Sequence, residues 1–105
     1  MIVAIVQIPM PRRSRADALH AGESTAATFS AMKDKGLLKK YYLNGDAGGG
    51  GVYLWRTLAQ AQALYTPAWE ASMEKRFGAK PTVTYYESLV QVDNELDEVR
   101  VERGE

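Results

Sequence analysis

The sequence predicts a single α+β domain with ferredoxin-like βαββαβ topology, in which two helices cover one face of a four-stranded antiparallel sheet. Three observations predict this fold. The chain has 105 residues, which is room for one domain. Its hydrophobic patterns follow the order strand, helix, strand, strand, helix, strand, and right-handed crossovers then give the split βαβ sandwich. Its strands are apolar on both faces, so the sheet needs a second cover besides its helices.

The first strand is predicted over residues 2–8, where β-branched residues dominate and Pro9 and Pro11 stop the pattern. Both faces are apolar except at Gln7. The helices cover one face, and the sheet of a second copy is the simplest cover for the other. The sequence therefore predicts a homodimer with two sheets packed face to face.

The first helix is predicted over residues 14–35. Ser14 is a suitable N-cap, with Asp17 three residues later, and Gly36 is a suitable stop after two lysines. One face of this helix repeats apolar or small residues at helical spacing: Leu19, Gly22, Ala26, Phe29 and Met32.

The second and third strands are predicted over residues 37–44 and 52–55, and the glycine run 48–51 is interpreted as a flexible hairpin link between them. No Lys-Ser or Lys-Thr pair follows the glycines, which excludes a phosphate-binding loop. The two strands should pair as an antiparallel hairpin.

The second helical region, residues 58–77, is interrupted at Thr66-Pro67, which predicts either two short helices or one kinked helix. Residues 81–92 alternate as a long fourth strand. The domain is expected to span 1–94, followed by a charged tail over 95–105. Val99 and Val101 alternate with charged residues and predict a strand over about 98–103, at a sheet edge or exchanged onto a partner subunit.

Composition excludes several functions. Thirteen basic residues balance thirteen acidic ones, so no overall positive charge favours nucleic acid, and Arg12-Arg13-Ser14-Arg15 is interpreted as a solvated turn. The absence of cysteine excludes disulfides and thiolate metal sites, and it is compatible with the cytoplasm. The apolar start is too short to span a membrane. His20 stands alone as a histidine, so we expect a surface residue and no metal.

The aromatic residues are the main candidates for a binding site. Core packing is one interpretation, and an aromatic cleft for a flat or lipophilic ligand is the other. In the second interpretation, tyrosine hydroxyls, Gln7 and Asn44 orient the ligand. The predicted cavity lies between the sheet and the second helical region. The candidate substrate-binding residues are Tyr41, Tyr53, Trp55, Tyr65 and Trp69.

Several segments together resemble the YdhR-type putative monooxygenase family over about residues 1–94. The segments are Leu37 to Leu43, Gly50-Gly51-Val52-Tyr53-Leu54-Trp55, Tyr65-Thr66-Pro67-Ala68-Trp69, Lys75 to Gly78, Val83 to Glu87 and Val92-Asp93-Asn94. The resemblance implies a dimeric α+β barrel related to the antibiotic-biosynthesis monooxygenases. It also implies oxygen chemistry without metal, flavin or haem, on a small aromatic or polyketide-like substrate. Trp55 matches one position that borders the pocket in such enzymes, and Tyr65 is the nearest candidate for a second, although the local pattern with Thr66-Pro67 differs. No residue matches a confirmed catalytic base.

The haem-degrading members of the barrel group use a histidine on the second helix, which this chain lacks. The leading hypothesis is a cofactor-independent monooxygenase. Two alternatives remain open: a non-catalytic binding or sensing protein on the same scaffold, and a structural dimer whose aromatic residues are all core.

Overall fold

A computed structural model describes residues 1–103. Its centre is a four-stranded antiparallel sheet in the order β2-β3-β1-β4. The strands are β1 (Ile2–Ile8), β2 (Leu37–Gly45), β3 (Gly48–Trp55) and β4 (Thr82–Glu87). The two longest-range pairings place β1 between β3 and β4, so the amino-terminal strand is central. This arrangement confirms the α+β class.

Three α-helices accompany the sheet in the described part of the chain: α1 (Arg15–Ser30), α2 (Leu58–Leu64) and α3 (Pro67–Phe77). Ser14 caps α1, because its hydroxyl accepts a hydrogen bond from the backbone N–H of Asp17. A 3₁₀ turn over Ala31–Lys35 continues α1. The interruption at Thr66-Pro67 produces two helices, since Thr66 caps α3 and Pro67 occupies its first turn.

The glycine run belongs to β3, which corrects its interpretation as a flexible link. Each of its four glycines pairs with a residue of β2, and Gly49 to Gly51 also pair with β1. The turn is only Asp46-Ala47. Glycine is required at Gly48 and Gly50, which adopt φ values of 122° and 134°. A Cβ atom at Gly50 would lie 1.9 Å from the carbonyl oxygen of Val6, so β1 can approach only a bare backbone there.

The core lies on the helix side of the sheet. It consists of alternate residues of β1 and β3 with one residue each from β2 and α2: Ala4, Val6, Ile8, Leu37, Tyr53, Trp55 and Ala61. The period of two along a strand places the intervening residues on the other face. There Val3, Ile5, Val52 and Leu54 are only partly buried. We call this second face of the sheet the open face.

The predicted long fourth strand is divided at Ser88-Leu89, where a short second strand, β5 (Val90–Asp93), begins. β5 pairs with β6 (Glu98–Val101) of the same chain and forms a separate two-stranded hairpin. The strand expected in the tail therefore exists, but its partner is β5 and not an edge of the main sheet. Residues 104 and 105 of the predicted tail lie outside the described residues, and exchange onto a partner subunit stays a prediction.

Candidate functional site

A cavity of about 910 Å³ lies between the sheet, α1 and α3. α1 forms one wall of it, and none of the residues Arg15–Ser30 is fully buried against the sheet. Its walls are mostly apolar, and they include several methionine and aromatic side chains. The wall residues include Met10, Phe29, Met32, Tyr53, Leu64, Trp69 and Met73. This volume and lining suit a drug-sized or multi-ring ligand.

A single lysine lies inside this apolar lining. The Lys40 Nζ atom is 3.2 Å from the ring centroid of Phe29, 4.0 Å from that of Tyr42 and 4.7 Å from that of Tyr53. Among residues 1–103 no carboxylate forms an ion pair with it. Burial without a counter-ion disfavours the charged form and lowers the pKa of Lys40 to about 7. The cavity therefore contains an amine that can change its charge near neutral pH.

Two features fix the position of this lysine. Tyr42, one of its three ring neighbours, shares a 2.8 Å hydrogen bond with the hydroxyl of Thr25 on α1. Gly51 provides space beside the lysine stem, since a Cβ atom there would lie 3.3 Å from Lys40 Cε and 3.0 Å from the ring of Tyr53. The side chain of Lys40 therefore extends along β3 in a gap that the glycine leaves.

Four arginines line the cavity, Arg12, Arg13, Arg15 and Arg76, and Arg12 is paired with Asp46 over 3.2 Å. Arg13 and Arg76 each place a guanidinium near the ring of Phe77, at 5.3 Å and 5.2 Å from its centroid. Asn44 holds the loop before α1 in place, because its side-chain amide makes hydrogen bonds of 3.0 Å and 3.1 Å with the backbone of Arg13. The cavity thus has positively charged side chains and no carboxylate among its described lining residues.

The candidate residues predicted from the sequence fall into three places. Tyr53 and Trp69 line the cavity. Trp55 and Tyr65 do not line it, because they lie behind Tyr53 in the core, where Trp55 is 1% exposed. Tyr41 lies on the open face, since its neighbours Lys40 and Tyr42 line the cavity and alternate residues of a strand point to opposite faces.

Trp55 and Tyr65 form a hydrogen-bonded aromatic pair. The indole N–H of Trp55 donates to the hydroxyl of Tyr65 over 3.1 Å, and the rings pack edge to face. Burial raises the pKa of Tyr65 and that of Tyr53, so both phenols stay protonated at neutral pH. These tyrosines can donate hydrogen bonds but cannot serve as bases.

Sequence reasoning missed Lys40 and the role of the arginines. It treated the arginine segment as a solvated turn and included Lys40 only in the family resemblance. A signal was present: with the two-residue period of β2, Lys40 and Tyr42 share a face, which pairing with β3 places opposite Tyr53. His20 is exposed on α1, as expected.

Two further results come from residues 1–103. They contain no group of three or more histidine, cysteine, aspartate or glutamate side chains placed to hold a metal ion. None of the helices in that range combines the length and the apolar character that a membrane span requires.

The fold is similar to that of a crystal structure described as a putative antibiotic biosynthesis monooxygenase from Deinococcus radiodurans. The TM-score is 0.58 with 15% sequence identity, and the match covers 89% of this chain and 97% of that chain. No known family profile matches the sequence, and no curated protein matches it. At this identity the similarity shows the α+β fold alone, so membership of the YdhR-type family stays a prediction.

Proposed function

We propose that the protein is a cofactor-independent monooxygenase that binds a small aromatic or polyketide-like substrate in the cavity between the sheet, α1 and α3. The observation that carries the proposal is this cavity of about 910 Å³, with an aromatic and methionine lining around one amine. The shared fold with a putative antibiotic biosynthesis monooxygenase supports it. Independence from a cofactor is what the sequence resemblance implies.

The chemistry needs an electron-rich substrate that becomes an anion in a water-poor site. An anthrone-like substrate illustrates the balance: its methylene carbon loses two hydrogens and gains one oxygen atom as a carbonyl. The second oxygen atom leaves as water with those hydrogens, and the substrate supplies all the electrons. The described cavity offers flat apolar walls for the rings, while its arginines suit the anion.

We also propose that the functional unit is a homodimer formed through the open face. Tyr41 and Tyr86 are 60% and 55% exposed on that face, beside the half-buried Val3, Ile5 and Leu54. Large apolar side chains clustered on one sheet face are typical of an interface. A second copy packed there would leave each cavity on the outer, helix-covered side of its own sheet. Light scattering tests this, because a monodisperse monomer at micromolar concentration contradicts it.

Oxygen uptake with a panel of anthrone-like and dihydroxyaromatic compounds tests the enzymatic proposal. We expect uptake with at least one compound, and we expect Trp69→Ala to reduce it at least tenfold, because Trp69 forms part of the wall. Lys75→Ala is the matched control on α3, since Lys75 is exposed and outside the lining. Saturable binding with no uptake for any compound would instead identify a binding or sensing protein.

A further inference from the structure

We propose that Lys40 is the proton acceptor and anion-binding group of the cavity, so that its preferred ligands are aromatic compounds with an acidic phenol or enol hydroxyl. The inference builds on the proposed function, because it names the substrate class and the acid–base residue of the same site. It rests on the position of one amine among aromatic rings, with no acidic partner in the described range 1–103.

The surroundings of Lys40 leave its amine available. Its Nζ atom lies against the rings of Phe29 on α1, Tyr42 on β2 and Tyr53 on β3. Of these neighbours, the two tyrosines are titratable, and burial raises the pKa of Tyr53. Among the described residues, the charged groups that line the same cavity from the loop before α1, from α1 and from α3 are Arg12, Arg13, Arg15 and Arg76, and the exposed Asp46 pairs with Arg12 over 3.2 Å.

The environment of Lys40 contains one feature that favours its neutral amine and another that favours its ammonium form. Burial with no counter-ion favours the neutral amine, and the pKa of about 7 follows from it. The π faces of three rings stabilise the ammonium once it forms. A lysine with this balance can act as a base at neutral pH, as lysines do when burial lowers their pKa.

The proton-transfer step balances without a redox partner. The substrate O–H bond breaks, an N–H bond forms on Lys40 Nζ, and the electron pair of the O–H bond stays on the substrate oxygen. The ammonium then faces the phenolate or enolate that it has produced, in a half-buried and mostly apolar site where the attraction is stronger than in water. The arginines that line the cavity add positive potential that favours the same anion.

The neighbouring lysine provides a matched control. Lys39 lies on the opposite face of β2 from Lys40, and its Nζ atom forms a 3.2 Å ion pair with Asp93 of β5. The hydrogen bond to Asp93 raises the pKa of Lys39, so its amine stays charged and already has a partner. Two adjacent lysines of β2 therefore differ in charge state, in partner and in the face of the sheet they occupy.

The experiment uses 3-nitrophenol as the probe, because its phenolate absorbs visible light and its uncharged form does not. With saturating wild-type protein, we expect the apparent pKa of the bound probe to fall by about one unit or more. Lys40→Met should abolish this shift, and Lys39→Met should retain it. Thermal melting and circular dichroism establish that each variant is folded, and Lys40→Gln is the second variant if Lys40→Met does not fold.

A proton count separates an acceptor from a simple counter-ion. At pH 8, where the Lys40 amine is mostly neutral, phenolate should form in weakly buffered solution without release of a proton, since Nζ retains it. Release of one proton per phenolate would overturn the role of acceptor. Absence of the wild-type shift, or an equal shift in Lys40→Met, would overturn the proposal as a whole.

Failure of the Lys40 proposal can be distinguished from failure of the proposed monooxygenase function. If no compound drives oxygen uptake and the Lys40-dependent shift is present, the monooxygenase proposal fails while the role of Lys40 stands. If Lys40→Met consumes oxygen as fast as the wild type, the role of Lys40 fails while the oxygenase proposal stands.

Discussion

The helix layer has two parts that pack against the sheet in opposite ways. On the α2 side, Ala61 is fully buried and Trp55 is 1% exposed, so the helix and the sheet are in close contact. On the α1 side, no residue of Arg15–Ser30 is buried, and the gap beneath the helix is the cavity. From this contrast we expect stability and ligand binding to depend on different parts of one aromatic cluster. A close-packed region can support a neighbouring region that is left open.

The largest expected effect comes from truncating one tryptophan in each part: Trp55 in the close-packed part and Trp69 in the part that borders the cavity. Trp55→Ala should lower the free energy of unfolding by ~3–5 kcal/mol, because a fully buried indole leaves a cavity and the Tyr65 hydroxyl loses its partner. Trp69→Ala should lower it less, since Trp69 is half-buried and borders an existing cavity, but should weaken ligand binding more. Urea denaturation and ligand titration on both variants provide the measurement.

From the sequence alone, Trp55→Ala is expected to weaken binding more than stability. The buried position of Trp55 now favours the reverse order. If Trp55→Ala retains near-normal stability and loses binding, the division between the close-packed part and the open part is wrong.

A smaller effect is expected at Lys40. Folding lowers its pKa from about 10.4 to about 7. Between these two pKa values the unfolded chain binds more protons than the folded chain, so the free energy of unfolding rises with pH. Below pH 7 the cost of burying the charged amine is fully present. Lys40→Met should therefore stabilise the fold by ~1–2 kcal/mol at pH 6, a figure reduced for partial solvent screening and for the lost ring contacts.

Melting temperatures of wild type and Lys40→Met across the pH range test this prediction. The difference should shrink as the pH rises and vanish near the pKa of an unfolded lysine. Lys39→Met serves as the control, because the hydrogen bond to Asp93 raises the pKa of Lys39. A difference that is constant with pH would indicate a packing effect and not a titration.

The smallest effect concerns the attachment of α1. Ser14→Ala removes its N-cap hydrogen bond and should cost ~1 kcal/mol. Because α1 buries no residue, we expect this cost as local opening of α1, measured by amide hydrogen exchange, with little change in global melting. Thr57→Ala is the matched cap on α2, because the Thr57 hydroxyl accepts a hydrogen bond from the backbone N–H of Gln60 and α2 buries Ala61. Equal changes in global melting for the two variants would show that both helices are attached alike.

The order of elements could be predicted from the sequence, because apolar periodicity and turn residues carry that information. The stretch Gly48 to Gly51 could not be, since glycine has no side chain to mark a face and its pairing is purely a backbone matter. The break at Ser88 was also hidden. Val90 and Val92 continue the alternation of β4, although they pair with the tail and not with the main sheet.

The site was harder to predict than the fold. Aromatic residues predict both a core and a cleft. Tyr53 lines the cavity and Trp55, on the same face two residues later, does not, so only the position along β3 distinguishes them. The strand period places Lys40 opposite Tyr53, but a lysine beside a lysine in a strand is usually solvated, so this signal alone does not mark Lys40 as buried. The significance of Lys40 depends on the cavity between α1 and the sheet, a property of three-dimensional packing that no local pattern records.

The glycines of β3 also bear on which ligands the cavity admits. Gly49 and Gly50 line it, so part of its floor is bare backbone. At Gly49 a new Cβ atom would meet first the flexible sulfur of Met10, at 3.1 Å, whereas at Gly50 it would meet the fixed carbonyl of Val6. A single methyl group at Gly49 is therefore the tolerated way to make the cavity shallower. The size of the ligand that the cavity admits is in that sense adjustable at this position, without any change to Lys40.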